Sequence, residues 1–162
     1  MNRLRTFLIV LMLSAPFFPT QSVSAFSGGG SGTSGSPYII TDVGELQEME
    51  NDLGAYYLIA NDIDASVTST WNGGAGFDPI GNEGSQFTGS LDGYGFTISN
   101  LTINRPTEDK VGLIGLGWEE TLSRINLKDC TIVGKDYVGT LEGEYDDGVD
   151  YALFRCRWKC YW

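Results

Sequence analysis

The sequence predicts an all-β protein, a short right-handed parallel β-helix (a β-solenoid) with one N-terminal capping α-helix, and three observations carry that prediction. Glycine occurs 22 times in 162 residues while only 19% of residues are charged, a composition that suits close-packed strands and turns better than helices. The block Phe96-Thr97-Ile98-Ser99-Asn100-Leu101-Thr102-Ile103 aligns without gaps to Ile125-Asn126-Leu127-Lys128-Asp129-Cys130-Thr131-Ile132. Glycine-flanked strand segments recur around these blocks, at unequal intervals marked by Gly89, Gly112 and Gly139. Irregular periods of about 20–30 residues with alternating strands mark a stacked repeat.

Taken from the N-terminus, residues 1–25 read as a secretory signal peptide. Arg3 and Arg5 precede an apolar stretch from Phe7 to Leu13, extended by Ala15, Phe17 and Phe18, and Val23-Ser24-Ala25 supplies small residues at the −3 and −1 positions of a cleavage site after Ala25. The apolar run is shorter than the ~20 residues that a membrane span needs, so an uncleaved anchor is the weaker reading. No later segment is apolar enough to span, and a secreted or cell-surface location is expected. Residues 26–36 are nearly all Gly, Ser and Thr and read as a flexible leader. The folded repeat region is expected over 37–143, with 144–162 an atypical tail.

Charge and composition exclude whole classes of function. With no histidine, the chain cannot build a Ser-His-Asp or Cys-His pair, a His-ligated zinc site or an imidazole shuttle. A formal charge of −11, becoming −13 once Arg3 and Arg5 are removed with the leader, would repel nucleic acid and anionic membranes. Calcium or cationic surfaces are better electrostatic partners.

Within the folded region, Tyr38-Ile39-Ile40 is a short strand. Asp42 and Glu45 then have the spacing of an N-cap and its capping-box partner, and Leu46, Met49 and Leu53 fall on one face. One amphipathic helix is therefore expected from about Val43 to Leu53, stopped at Gly54 and lying as a lid over the end of the stack. Tyr56 to Ile63 is the next strand, and Trp71 to Gly84 is a glycine-rich loop anchored by Trp71, Phe77 and Ile80.

The remainder repeats. Phe87-Thr88-Gly89-Ser90-Leu91-Asp92-Gly93 matches Tyr137-Val138-Gly139-Thr140-Leu141-Glu142-Gly143 position by position, and Val111-Gly112-Leu113-Ile114-Gly115 is a shorter copy. Uneven spacing points to a local insertion around Trp118-Glu119-Glu120. In the two aligned blocks, alternation sends Phe96, Ile98, Leu101 and Ile103 inward with Ile125, Leu127, Cys130 and Ile132 beneath them. The polar pairs Ser99-Asn100 and Lys128-Asp129 stand where a coil turns a corner. The glycines serve turns or close backbone approach.

Gly112-Leu113-Ile114-Gly115 and Gly139-Thr140-Leu141-Glu142-Gly143 resemble the GLUG motif, a short repeat of secreted bacterial and archaeal surface proteins. Leu91-Asp92-Gly93-Tyr94-Gly95-Phe96-Thr97-Ile98-Ser99-Asn100-Leu101 and Pro79-Ile80-Gly81 are similar to the segments that accompany those repeats. The resemblance runs from about Ser36 to Gly143. It implies exported β-helical proteins, some adhesin-like and some surface proteases with catalytic domains elsewhere, and no catalytic residue in the repeat itself. Family members continue through several repeats, whereas this pattern stops after about two. Residues 151–162 have no glycine and five aromatics. Codons permitted for Asp150 to Trp162, read one base later, can spell a further glycine-rich coil, so a shifted frame competes with a genuine aromatic cap.

Other candidates carry weaker signals. Cys130 takes the place of Leu101 in the repeat and is expected to be a buried thiol, with a disulfide to Cys156 or Cys160 in the tail as the alternative. Three cysteines without histidine leave a zinc site one ligand short. Asp62 and Asp64 lie two apart on a strand, so both carboxylates face one side, a pattern that could hold calcium or serve acid/base chemistry, against a plain solvated strand end. Glu119-Glu120 and Asp146-Asp147 read as exposed turns. Trp71, Tyr94 and Trp118 stand in or beside loops, as packing residues or as platforms for a sugar ring. Asn100-Leu101-Thr102 is a glycosylation sequon.

The functional expectation is an exported surface β-helix, the beginning of a longer repeat protein, that binds a surface protein or glycan or serves as passive architecture. No catalytic residue and no cofactor beyond calcium is nominated. The alternatives are a polysaccharide-acting enzyme using Asp62, Asp64 and Asp92, and a broken gene product without function.

Overall fold

The computed structural model describes residues 26–146 and 155–157. The signal segment with Ala25 lies outside these residues, as do Asp147 to Phe154 and Trp158 to Trp162. The regular structure is mostly strand, in short pieces: β1 (Tyr38–Ile40), β2 (Tyr56–Ile59), β3 (Ile63–Asp64), β4 (Ser90–Asp92), β5 (Thr97–Ser99), β6 (Thr102–Asn104), β7 (Ile114–Trp118), β8 (Thr121–Ser123), β9 (Asn126–Lys128), β10 (Thr131–Val133), β11 (Glu142–Asp146) and β12 (Arg155–Arg157). One α-helix, α1 (Val43–Gln47), follows β1.

Each strand pairs in parallel with a strand one circuit of the chain away. The sheets run β1-β2-β4-β8 and β3-β5-β9-β12, with two-stranded sheets β6-β10 and β7-β11. The register expected from the aligned blocks is the one observed: Ile98 stands opposite Leu127 and Ile103 opposite Ile132. Ile63, Ile98, Leu127 and Cys156 occupy one column of backbone positions. Tyr57, Leu91 and Leu122 occupy another.

Alternation places the apolar member of each triplet inside. Ile98, Leu101 and Ile103 are fully buried, Ile125, Leu127, Cys130 and Ile132 lie beneath them at 5–9% exposure, and Phe96 packs half-buried against the same core. Each such Ile or Leu contributes about 1.5–3 kcal/mol by leaving water. No rung can bury its apolar face alone, so the favourable term appears only when rungs stack.

The corners fall at the polar pairs. Asn100 and Asp129 have φ of 59° and 53°, and Lys110 and Tyr137, one residue before the paired Val111 and Val138, have 61° and 54°. The insertion near Trp118 is also present. The stretch from Gly117 to Leu122 is one residue longer than the stretch from Phe87 to Leu91 on which it stacks, and the extra residue is accommodated around the left-handed Glu119, φ 50°.

Several expectations need correction. The helix is shorter than 43–53: α1 ends at Gln47 and tightens into a 3-10 turn over Glu48–Asn51. Gln47 is held by residue 78, donating to its carbonyl at 3.0 Å and accepting from its amide at 2.9 Å, while Asn51 bonds back to the Glu48 carbonyl, and Asn and Asp favour such turns over helix interiors. The expected N-cap does form, with Asp42 Oδ1 accepting from the Glu45 amide at 2.9 Å, while Glu45 reaches back past the cap to the Thr41 amide.

The strand expected from Tyr56 to Ile63 is two strands, β2 and β3, separated by a turn in which Asn61 donates to the Thr41 carbonyl. Asp146 is the last residue of β11, extended by pairing with Trp118, rather than part of a turn. Residues 26–36 are not a free leader, because Gly29 and Gly32 accept hydrogen bonds from the amides of Ile39 and Tyr56 at 2.8 and 2.9 Å. Finally, 87–93 and 137–143 are not stacked equivalents. Leu91 lies over Leu122, in a different sheet from the 142–146 strand, so their likeness reflects the shared chemistry of a strand entering a tight turn.

Candidate functional site

The repeat glycines form the best-defined constellation. Val111 pairs with Val138 and Ile114 with Glu142, so the longer segment 139–143 stacks on 112–115 with one position of slack. Above them Ile80 pairs with Ile114, which aligns Gly81, Gly115 and Gly143 in one column. A methyl group on Gly115 would sit 2.6 Å from the Gly81 carbonyl oxygen, and one on Gly112 would sit 2.8 Å from that of Gly139. Close approach of neighbouring turns, rather than positive φ, requires glycine at 112, 115 and 143, and at 139 a side chain would run into the Glu142 carbonyl of its own turn. Leu113, Ile114 and Leu141 are buried between them. Thr140 and Glu142 are half-buried. This arrangement performs packing.

The nominated carboxylates are engaged in the fold. Asp62 Oδ1 accepts the Thr97 amide at 2.8 Å, tying one turn to the next. Asp64 Oδ1 accepts from Asn100 Nδ2 at 2.9 Å and from the Ser66 amide at 3.0 Å, and these bonds hold its carboxyl below the ordinary carboxylate value. Asp92, in β4, is gripped by the Arg124 guanidinium, whose Nε lies 2.9 Å from Oδ1 and whose Nη2 bonds Oδ2. Burial alone would raise the Asp92 carboxyl, but the hydrogen bonds from Arg124 and the Tyr94 amide outweigh it and hold it low. Arg124 also lies 4.5 Å from the centre of the Tyr94 ring. Each of the three carboxylates thus serves a different local contact. Among the described residues no group of three or more acidic or cysteine side chains could hold a metal ion.

Carboxylates do gather elsewhere, at a place that no sequence motif marks. A cleft of about 380 Å³ is lined by Asp78, Pro79, Asn82, Glu83, Glu108, Asp109 and Lys110, among others. Arg105, largely buried, bridges Asp78 at 3.2 Å and Glu108 at 3.1 Å. Lys110 pairs with Glu144 at 2.7 Å and Glu83 at 3.2 Å, which holds its ammonium above the ordinary lysine value, and Lys135 pairs with Asp109 at 3.1 Å. The acids come from two loops of irregular sequence, 78–83 and 105–110, which the turns bring together. Only the density of mixed charges in Arg105-Pro106-Thr107-Glu108-Asp109-Lys110 signals it in the sequence.

Glu119 is exposed as expected, but Glu120 is buried, at 2% exposure, and folds over the backbone of Gly117. Its Oε2 meets no hydrogen-bond partner among the described residues. The insertion turns Glu119 outward through positive φ and so points its neighbour inward. Of the loop aromatics, Trp71 packs against the core while Tyr94 and Trp118 are 58% and 37% exposed. Cys130 is buried, its thiol donating to the Lys128 carbonyl at 3.5 Å.

Over 122 residues, 70% of this chain, the sequence is 43% identical to Halomucin of Haloquadratum walsbyi, a match that makes up 1% of that protein. Over 125 residues, 76% of this chain, it is 34% identical to a protein of Evansella cellulosilytica named as a Gly-rich membrane protein, of which the match is 14%. The chain therefore spans only a small part of these relatives. No known family's profile matches it, and neither does a solved structure. No helix among the described residues is long and apolar enough to cross a membrane.

Proposed function

We propose that the chain is an exported protein of the cell surface or extracellular space. It is a right-handed parallel β-helix of GLUG type that engages a surface protein or glycan or serves as passive surface architecture, as one part of a longer repeat design. The observation that carries this reading is the continuous parallel register, in which the same positions recur rung after rung and the 112–115 and 139–143 motifs stack on each other. A rigid stack with polar residues outside, built mainly from rungs that satisfy one another, is scaffold-like. The name of the Evansella relative, a Gly-rich membrane protein, supports a surface setting.

A second reading has one observation in its favour. The cleft around Asp78, Glu83, Glu108 and Asp109 holds acidic and basic groups together, as a polysaccharide-acting enzyme would require. Against it, each of these carboxylates is already paired with a cation, leaving no acid/base couple poised across a sugar bond.

The test is to express the full chain in a bacterial host, separate medium, surface and cytosol, and incubate purified protein with immobilised glycans and soluble polysaccharides. The surface reading expects protein in the medium or on the cell, with no reducing ends released. Retention in the cytosol would overturn it, and reducing ends lost in Glu108→Gln would favour the enzyme.

A further inference from the structure

The residues that follow the expected cleavage site form the first layer of the stack. Phe26 stacks on Tyr38 with ring centres 4.6 Å apart and meets Tyr57 edge-on at 5.7 Å. Tyr57, 2% exposed, tilts against buried Phe87 at 6.4 Å, so Phe26 heads an aromatic column that descends into the core. The next amide, of Ser27, donates to Glu48 Oε2 at 2.7 Å. Gly29 and Gly32 then pair with β1 and β2 as described. Gly30 and Gly32 have φ of 95° and 70°, and side chains at 28 and 30 would run into the carbonyls of Ile39 and Pro37. A Gly/Ser-rich stretch of this kind is a closely fitted cover for the end of the sheet, where unpaired strand edges are otherwise open to association.

Resting on the proposed export, we infer that Phe26, freed by the cleavage expected after residue 25, is a structural N-terminus that heads the aromatic column and pairs its α-ammonium with Glu48. Hydrolysis adds water across the peptide C–N bond, leaves the carboxylate on the departing Ala25, and frees Phe26 as an α-ammonium one residue from the Glu48 carboxylate's partner, the Ser27 amide. In the unprocessed chain that nitrogen is a neutral amide with no charge to pair. Glu45, the other acid beside this segment, is engaged by the Thr41 amide and hydroxyl, so Glu48 is the partner. Processing therefore both releases the chain and completes the cover that Phe26 begins.

The experiment is to secrete the full chain, its Phe26→Ala variant and its Glu48→Gln variant from the same host. The new N-terminus is read by mass spectrometry, melting is followed by circular dichroism, and the α-amine is acetylated at neutral pH with an N-hydroxysuccinimide ester. The expected results are an N-terminus at residue 26 in all three, a Tm lowered by about 4 °C or more in Phe26→Ala, and α-amine acetylation about threefold faster in Glu48→Gln, because a paired ammonium resists deprotonation. Lysine acetylation serves as the internal reference. An N-terminus at another residue would sink the export reading at Ala25 and this inference with it. An N-terminus at Phe26 with wild-type melting and labelling in the variants would leave export standing and overturn the structural role.

Discussion

Asn100 and Asp129 stand at the same corner of consecutive turns, both with left-handed backbone, and the Asn100 amide donates to the carbonyl of Lys128 at 3.0 Å. Left-handed φ costs an ordinary residue about 1–2 kcal/mol, and Asn and Asp tolerate it best after glycine. Asn100→Ala is expected to lower stability by about 1 kcal/mol or more, since it also loses the bond to Asp64. Asp129→Gly is expected to be neutral or to stabilise by a few tenths of a kcal/mol. Urea unfolding of the two variants checks both signs.

The core columns make the sharpest prediction about packing. Ile98 is fully buried between Ile63 and Leu127, whereas Val133, at the end of β10, is 38% exposed. Ile98→Ala should cost about 2–5 kcal/mol through lost burial and the cavity left behind, and Val133→Ala should stay within about 0.5 kcal/mol. Equal effects in denaturant melts would contradict the inside-outside assignment of these strands.

The Asp92–Arg124 contact ties the 92–94 corner to the turn below it. Because the native Asp92 carboxyl titrates below its unfolded value, its contribution is complete above the unfolded pKa, near 4, and is lost as pH falls through the native value. Asp92→Asn should therefore melt below wild type at pH 7, and the two Tm values should converge as the pH drops below about 4. Raising the salt concentration should narrow the gap at pH 7, since Arg124 is about half exposed.

Glu120 is a carboxylate kept from water with one oxygen unpartnered among the described residues, an arrangement that costs about 1–3 kcal/mol. Glu120→Met, which retains the volume without the charge, is expected to raise Tm. Gly117→Ala, which would force a methyl into the Glu120 carboxylate, is expected to lower it. Combined in one chain, the two changes should be less damaging than Gly117→Ala alone, because the flexible thioether can give way.

Repetition made the vertical register legible. Two blocks that align without a gap leave little freedom in how they stack, and Ile98 over Leu127 follows directly. The match between 87–93 and 137–143 misled because a strand running into a glycine turn uses the same residue types wherever it occurs. The leader misled for a related reason. Glycine and serine suit a flexible linker, but glycine is equally required where a chain passes over another backbone, as at Gly28 and Gly30, and composition does not separate the two. The cleft was hidden because its acids come from loops a full circuit apart in the chain, which only the stacking brings together.

Successive turns lie parallel and in register. The most direct test is to record nuclear Overhauser contacts on isotope-labelled protein between the backbones of Thr97–Ser99 and Asn126–Lys128, and between Ile63–Asp64 and Ile98–Ser99. The slanted α-to-amide contacts of parallel strands are expected, with Ile98 facing Leu127 on one side and Ile63 on the other. Close α-to-α contacts between neighbouring strands, the mark of antiparallel hairpins, would contradict it.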